Sequence, residues 1–139
     1  PQIRSGDTRT SRARATMPGM ASKDIRGRQG EDRAARHLSA QGYDILDRNW
    51  HCAAGELDIV AAHGGDLVVV EVKTRRTEGY GHPSEAVDAA KRDRLWRLSC
   101  AWVAAHPEAA RRRRLRVDVI GITGEDPATG IVEHLVDLR

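Results

Sequence analysis

The stretch GELDIVAAHGGDLVVVEVKTR, residues 55–75, decides how this chain folds. It contains two largely apolar runs, 56–62 and 66–73, which are rich in β-branched residues and are separated by a segment that includes Gly64 and Gly65. Two such runs joined by glycines are typical of a β-hairpin. The sequence therefore predicts two adjacent antiparallel strands.

The register of this hairpin decides where its charged side chains emerge. A turn centred on the two glycines places Asp58 directly opposite Glu71. Two positions further from the turn, Glu56 lies opposite Lys73. Because side chains alternate along a strand, all four charged residues emerge on one face. The other face is lined by apolar residues, namely Leu57, Ile59, Val70 and Val72.

The opposed carboxylates of Asp58 and Glu71 repel each other. At a Cβ separation of about 5 Å and an effective dielectric of about 20, this repulsion costs roughly 3 kcal/mol. A divalent cation such as Mg²⁺ offsets it, because hard ions bind carboxylate oxygens. Lys73 lies within reach of a water or phosphate oxygen held by such an ion. The chain has lysine only at positions 23, 73 and 91, so a lysine rather than an arginine here is informative.

The same pattern also has a structural interpretation. Asp58 and Glu71 would then mark a solvated strand end, and Glu56 and Lys73 would form a surface ion pair worth under about 1 kcal/mol. A shift of one residue in register would place the two acids on opposite faces. The hairpin alone leaves both interpretations open.

Helices and further strands flank the hairpin. From Arg28 the residues recur at helical spacing, and Gly42 suits the position just past a helix end. The other predicted elements are a strand at 43–49, a helix from about Ser84 to Ala105, and strands at 115–122 and 131–138. This order predicts an α/β fold with a mixed five-stranded sheet flanked by helices.

Composition favours a single domain. The chain has 139 residues and 40% hydrophobic content, which suits one sizeable core. Residues 1–22 are polar and Arg-rich, which predicts a disordered basic arm before a domain at 23–139. Residues 1–28 hold seven basic and two acidic residues, which leaves 16 basic and 18 acidic residues in 29–139. The net charge of +3 therefore does not by itself argue for DNA binding.

The sequence also predicts a cytoplasmic protein. No apolar run approaches the roughly 20 residues that a membrane span needs, and the first residues lack the apolar stretch of a secretion signal. The two cysteines, Cys52 and Cys100, have neither zinc-site nor disulfide-framework spacing. We expect both to be reduced thiols.

Several segments resemble a known family. The spacing of Asp58, Glu71 and Lys73 resembles the D-x(n)-E-x-K signature of the PD-(D/E)XK nuclease superfamily. More specific segments are GRQGEDRAARHL, GYDILDRNW, GELDIVA, LVVVEVKTR, KRDRL, RVDVIGI and a final strand containing His134. Together they resemble the YraN-like bacterial family, which is similar in pattern to archaeal Holliday-junction resolvases. The resemblance covers residues 26–138.

This resemblance implies a restriction-endonuclease-like core with a metal-dependent site. Asp58, Glu71 and the main-chain carbonyl of Val72 would bind Mg²⁺ or Mn²⁺. Glu31, on the first helix, would be a direct or water-mediated ligand. Lys73 would orient or activate the attacking water and stabilise charge on the phosphate.

Two functions therefore compete. The first is a metal-dependent endonuclease acting on nucleic acid, expected to be DNA, and resolvase-like enzymes of this kind work as homodimers. The second is a nucleic-acid-binding or partner-binding module that retains the fold without cleaving. The intact carboxylates and lysine favour the enzyme, because a pure binder has no need of opposed carboxylates.

Further basic residues are candidates for nucleic-acid binding. Arg75, Arg76, Tyr80 and His82 follow Lys73 in a predicted mobile loop, which suits phosphate and base contact or, alternatively, a solvated loop. Lys91 lies on the predicted buried stripe of the second helix. An unpaired buried cation is costly, so Lys91 should meet either a carboxylate or a phosphate.

Other polar residues favour structural roles. Glu31 can also be interpreted as a first-turn acid stabilised by the helix dipole. Asp118 is better explained as a partner of Arg116 or Lys91 than as a site residue. His134 is expected to be a structural histidine on the last strand, and the basic run 111–114 a helix-to-strand connector that could add to a basic rim.

Overall fold

The computed structural model describes residues 22–77, 79 and 87–138. Within these ranges it contains three α-helices and five strands. They are α1 (Ser22–Ala40), β1 (Asp44–Cys52), β2 (Gly55–His63), β3 (Asp66–Arg75), α2 (Ala89–Ala105), α3 (Pro107–Ala110), β4 (Arg114–Thr123) and β5 (Ile131–Leu135). A short 3₁₀ turn at Pro127–Thr129 lies between the last two strands. No helix of the described ranges combines the length and the apolar character needed to cross a membrane.

The five strands form one mixed sheet in the order β1-β2-β3-β4-β5. The pair β3–β4 is parallel, and the other three neighbouring pairs are antiparallel. The parallel pair needs a crossover connection, and α2 lies within it. The prediction of an α/β fold with a mixed five-stranded sheet is confirmed.

Each face of the sheet is covered by one long helix. On one face α1 contributes Ala34 and Leu38 to a buried cluster with residues of β2, β3 and β4, among them Ile59, Val68, Val70, Ile120 and Ile122. On the other face α2 contributes Leu95, Leu98 and Trp102 to a second cluster, which includes Leu57, Val69, Val117 and Val119. The domain therefore has three layers, helix, sheet and helix.

The helix α1 packs against β3 at Gly30. A Cβ atom at this buried position would overlap Thr74 Oγ1. Glycine lowers helix stability by roughly 1 kcal/mol relative to alanine, so its presence in mid-helix has a packing reason. Gly30 lets the helix axis approach the C-terminal end of β3, and it sets the position of the next residue, Glu31.

Three arginines of α1 fasten the helix to the connection between β4 and β5. Arg26 donates to the carbonyl oxygens of Glu125 at 2.6 Å and Gly124 at 3.2 Å. The other two bonds run from Arg33 to the Gly130 carbonyl and from Arg36 to the Ala128 carbonyl. These arginine side chains therefore stabilise the fold by holding α1 against the connection between β4 and β5.

The predicted register of the hairpin is confirmed next to the turn, but the predicted pairs of Asp58 with Glu71 and of Glu56 with Lys73 are not formed. The pairs run from His63 opposite Asp66 next to the turn to Ile59 opposite Val70. Beyond Ile59 the alternation of β2 breaks, because Leu57 packs in the cluster under α2 whereas Ile59 packs in the cluster under α1. The expectation that Leu57 shares a face with Ile59 is wrong, and the break falls at the residue between them.

Several predicted boundaries shift. The helix α1 begins at Ser22 rather than at Arg28. The second helix begins at Ala89 rather than near Ser84, since the Asp88 carboxylate accepts from the Lys91 N–H as an N-cap. Of the predicted arm at residues 1–22, residues 1–21 lie outside the described residues and Ser22 begins α1, and the segment 80–86 also lies outside the described residues.

Candidate active site

The predicted site residues converge on one cavity of about 360 Å³. Its lining includes Glu31 from α1, Asp58 from β2, and Glu71, Val72 and Lys73 from β3. Arg26, Gly27 and Thr74 complete the lining where α1 meets β3. The cavity thus lies where the β2–β3 hairpin opens and the first helix crosses it.

At the point where the hairpin opens, the Asp58 carboxylate takes the place of a backbone acceptor for the Val72 N–H. Its Oδ2 accepts a hydrogen bond from the Val72 N–H at 2.9 Å, and these two residues lie one and two positions beyond the last pair, Ile59 and Val70. The N–H and C=O groups of a strand residue point to the same edge of the strand. The Val72 carbonyl is therefore directed toward the gap that the Asp58 carboxylate occupies.

The charge on Asp58 is poorly compensated. Burial and, after it, the neighbouring charge of Glu71 raise the pKa of the Asp58 carboxyl to about 7, although the hydrogen bond from the Val72 N–H lowers it. Glu31 and Glu56 add smaller contributions in the same direction. Above neutral pH this side chain is a partly buried anion that a cation would stabilise.

Lys73 pairs with Glu71 within the same strand. The Nζ–Oε2 distance is 3.3 Å, and the two side chains are 26% and 17% exposed. Glu56 instead contacts the His51 ring on β1, at 3.3 Å between Oε1 and Nε2. The structural interpretation of the hairpin paired Lys73 with Glu56. In the structure Lys73 instead contacts Glu71, which lines the cavity.

Glu31 reaches the cavity from α1. Burial raises the pKa of its carboxyl, and a hydrogen bond from the Asn49 side chain opposes this shift. Asn49, on β1, was not identified from the sequence, which carries no local signal for it. Gly30 was also missed, although a glycine inside a helical pattern is a recognisable signal of close packing.

Lys91 lies near the cavity but is not buried as predicted. Its side chain is partly exposed, and its nitrogen contacts Lys73. That contact, followed by burial and the positive charge of Lys73, lowers the pKa of Lys91, and Glu71 opposes the shift. The expectation of a carboxylate near this lysine is met by Glu71, and the site therefore has a second cation contributed by α2.

Two of the other predicted nucleic-acid-binding residues, Arg75 and Arg76, directly follow Thr74, which lines the cavity. Arg75 is the last residue of β3 rather than part of a loop, and its carbonyl accepts from the Gly124 N–H. Arg76 follows it and is exposed. Tyr80 and His82 lie outside the described residues.

Asp118 belongs to a separate buried network on β4. Its carboxylate is fully buried and accepts from Arg116 Nε and NH2, both at 3.0 Å, and from the Asp137 N–H. His134 Nε2 lies 2.8 Å from Asp118 Oδ2. These contacts agree with the structural roles predicted for Asp118 and His134.

Arg116 extends this network to two further elements. It donates to Asp66 Oδ2 at 2.7 Å and to the Tyr43 hydroxyl at 2.8 Å. His134 in turn meets His37 of α1, with 3.4 Å between their ring nitrogens. The network joins β3, β4, β5 and the first helix.

The cavity suits a hard divalent cation. Within the described ranges, no three acidic, histidine or cysteine side chains are arranged to enclose an ion by themselves. Mg²⁺ is commonly bound by one or two carboxylates, with water and substrate oxygens in the remaining positions. Asp58, Glu71 and the Val72 carbonyl supply that kind of donor set, and the poorly compensated charge of Asp58 fits a cation.

The fold and the cavity define a three-layer α/β protein with an acidic site at the opening of a central hairpin. The chain belongs to the family described as "Uncharacterised protein family UPF0102", whose model matches residues 30–122. A UPF0102 protein of Paenarthrobacter aurescens (strain TC1) is 52% identical over 116 residues, which cover 84% of this chain and 94% of that protein. A UPF0102 protein of Arthrobacter sp. (strain FB24) is 49% identical over 116 residues, covering 84% and 97% respectively.

Proposed function

We propose that this protein is a metal-dependent nuclease that hydrolyses phosphodiester bonds, with DNA as its substrate. The observation that carries the proposal is the Asp58 carboxylate, held by the Val72 N–H beside Glu71 in a cavity that also contains Lys73. The family names of the relatives state no activity, so the proposal rests on the chemistry of this cavity.

The acidic residues would hold Mg²⁺ or Mn²⁺. Asp58, Glu71 and the Val72 carbonyl would be ligands, and Glu31 would bind directly or through a water. When bound, such an ion polarises a phosphoryl oxygen and lowers the pKa of a coordinated water. The three carboxylates would hold the ion and would orient a water against the scissile phosphate.

In the proposed reaction, Lys73 would take part in the chemical step. Its ammonium lies 3.3 Å from Glu71, which keeps the amine beside the carboxylates instead of in solvent. From there it can donate to a phosphate oxygen and stabilise the charge that develops during attack. Lys91, whose side chain contacts that of Lys73, would bind an adjacent phosphate.

The test is a cleavage assay over a panel of linear and branched DNAs, with Mg²⁺ or Mn²⁺ for turnover and Ca²⁺ for binding. Lys73→Met preserves much of the side-chain bulk but removes the charge and the donors. We expect cleavage to fall by on the order of 10²-fold or more, with most of the binding retained.

Arg111→Met is the matched control, because Arg111 is exposed, contacts Glu108 at 3.5 Å and precedes β4 at the Asp66–Arg114 end of the sheet, whereas the cavity lies near the other end of β3. It should cleave like the wild type. Equal cleavage by Lys73→Met would remove Lys73 from the mechanism. Binding of the DNAs without any cleavage by the wild type would favour the alternative, a binding module that retains the fold.

A further inference from the structure

Asn49 has an unusual backbone conformation for a strand residue. Its φ is 54°, although it lies within β1, Asp44–Cys52. A positive φ is uncommon for residues other than glycine, and asparagine is among those that tolerate it best. Conformations of this kind cluster at functional sites, where surrounding contacts maintain them.

The pairing of β1 with β2 does not require this conformation. Arg48 pairs with Ile59 and Trp50 pairs with Leu57, so the register is the same on both sides of Asn49. The register shift of this strand pair lies earlier, between Ile45 and Asp47. Asn49 itself is exposed, and β1 changes face there, because Trp50 packs against the cluster under α2 whereas Arg48 pairs with Asp32 of α1.

The position of Asn49 links two residues of the cavity. It lies between the pairs that flank Asp58, so it is level with Asp58 across the two strands. Asp58 is the point at which β2 changes face, and the Asn49 side chain hydrogen-bonds to Glu31 on α1. The unusual backbone and the contact to Glu31 therefore occur in the same row of the sheet.

We infer that Asn49 is a positioning residue, whose left-handed backbone directs its side-chain amide to the Glu31 carboxylate and fixes that carboxylate toward Asp58 and Glu71. This inference rests on the proposed function. The amide is a donor and leaves the other lone pairs of Glu31 for an ion or a water. Partners that orient a metal ligand in this way commonly change metal affinity by 10- to 100-fold when they are removed.

Asn49→Gly separates the two roles of this residue. Glycine adopts the left-handed conformation readily, so the backbone is retained while the amide is lost. Arg112→Gly is the matched control, because Arg112 has φ 64°, is exposed and lies in the connection between α3 and β4. Asn49→Asp is a second variant that retains the size and backbone tolerance but lacks the donor.

Two measurements decide the inference, calorimetric titration with Mn²⁺ and the order of the Glu31 side chain measured by NMR without metal. In Asn49→Gly and Asn49→Asp we expect a mobile Glu31 and Mn²⁺ binding weaker by about 10-fold. Arg112→Gly should match the wild type in both.

A Glu31 side chain as ordered as in the wild type, with unchanged Mn²⁺ binding in both Asn49 variants, would overturn the inference. The proposed function fails separately, if the wild type neither binds Mn²⁺ nor cleaves. The NMR measurement still decides the role of Asn49 in that case, because it needs no metal.

Discussion

Asp118 is fully buried and Asp58 is partly buried in the same sheet, and the two aspartates have opposite electrostatic surroundings. At Asp118, burial is outweighed by hydrogen bonds from His134, Arg116 and the Asp137 N–H, so the pKa of the carboxyl is lowered. At Asp58, burial and the charge of Glu71 act together against a single backbone hydrogen bond, so the pKa is raised to about 7. The two pKa values therefore shift in opposite directions because the two carboxylates have different hydrogen-bond and charge partners.

This contrast separates a structural network from a site that needs a ligand. Arg116 neutralises Asp118 and also reaches Asp66, and burial of the arginine is outweighed by its hydrogen bonds, which raise its pKa. Around Asp58 the neighbouring residues add negative charge. An uncompensated carboxylate lowers the stability of the metal-free fold, and a bound cation would offset this loss. Such a compromise between stability and function is common.

The largest effect should come from breaking the structural network. Asp118→Ala leaves Arg116 with its charge buried and partly unpaired, which typically costs about 3–5 kcal/mol. Urea denaturation at pH 7 should show this loss. The double variant Asp118→Ala/Arg116→Met, which removes both charges, should recover part of it, and a single-variant loss below about 1 kcal/mol would contradict the contrast.

The second expected effect is a gain in folding stability rather than a loss. The folded state keeps a proton on Asp58 up to about pH 7, whereas the unfolded chain releases it near pH 4, so this group lowers stability as pH rises through that window. Asp58→Asn should therefore stabilise the metal-free protein by on the order of 2 kcal/mol at pH 8 and by much less near pH 5. Denaturation across this pH range tests it, and a gain independent of pH would refute the assigned cause.

The third effect is stabilisation by a cation. Mn²⁺ at about ten times its dissociation constant should stabilise the wild type by about 1.4 kcal/mol at pH 8, and Glu71→Ala should lose this effect. Calorimetry would measure the binding directly. Glu108→Ala removes an exposed acid from α3 and should bind like the wild type. Equal heats from wild type and Glu71→Ala would show that Asp58 and Glu71 are not a metal site.

The smallest effect concerns the rim of the cavity. Arg76 is exposed beyond the end of β3, so Arg76→Ala should weaken DNA binding less than tenfold and reduce the salt slope of the affinity by about 1. Binding titrations at several salt concentrations in Ca²⁺ would measure both quantities. Arg111→Ala should leave the slope unchanged, and an equal change in both variants would mean that the contribution is not local.

The parts of the fold that could be predicted were encoded locally. The register of the hairpin follows from its glycines and from the strand pattern on each side, because only a few residues separate the paired positions. The start of α2 was missed because the helical stripe was extended past Asp88, a residue type that favours the N-cap. The same stripe placed Lys91 among buried residues, although only part of that face contacts the sheet.

The features that were missed depend on contacts between distant residues. Strict alternation placed Leu57 with Ile59, but Asp58 takes the position of a strand partner for Val72 and changes the face on which Leu57 packs. No local pattern around Asn49 indicates that it faces a helix that ended nine residues earlier. Convergence of the carboxylates was predictable from spacing and resemblance, whereas the residues that orient them were not.

The bonds between α1 and the β4–β5 connection have a consequence for the order in which the molecule assembles. Arg26, Arg33 and Arg36 bind carbonyls 92 to 99 residues later in the chain. During synthesis on a ribosome, Asp58, Glu71 and Lys73 emerge long before the segment that fastens the first helix. A chain interrupted before Gly124 would contain the carboxylates of the hairpin but would lack the anchor that holds Glu31 beside them, so the cavity is completed only after residues 124–130 have been synthesised.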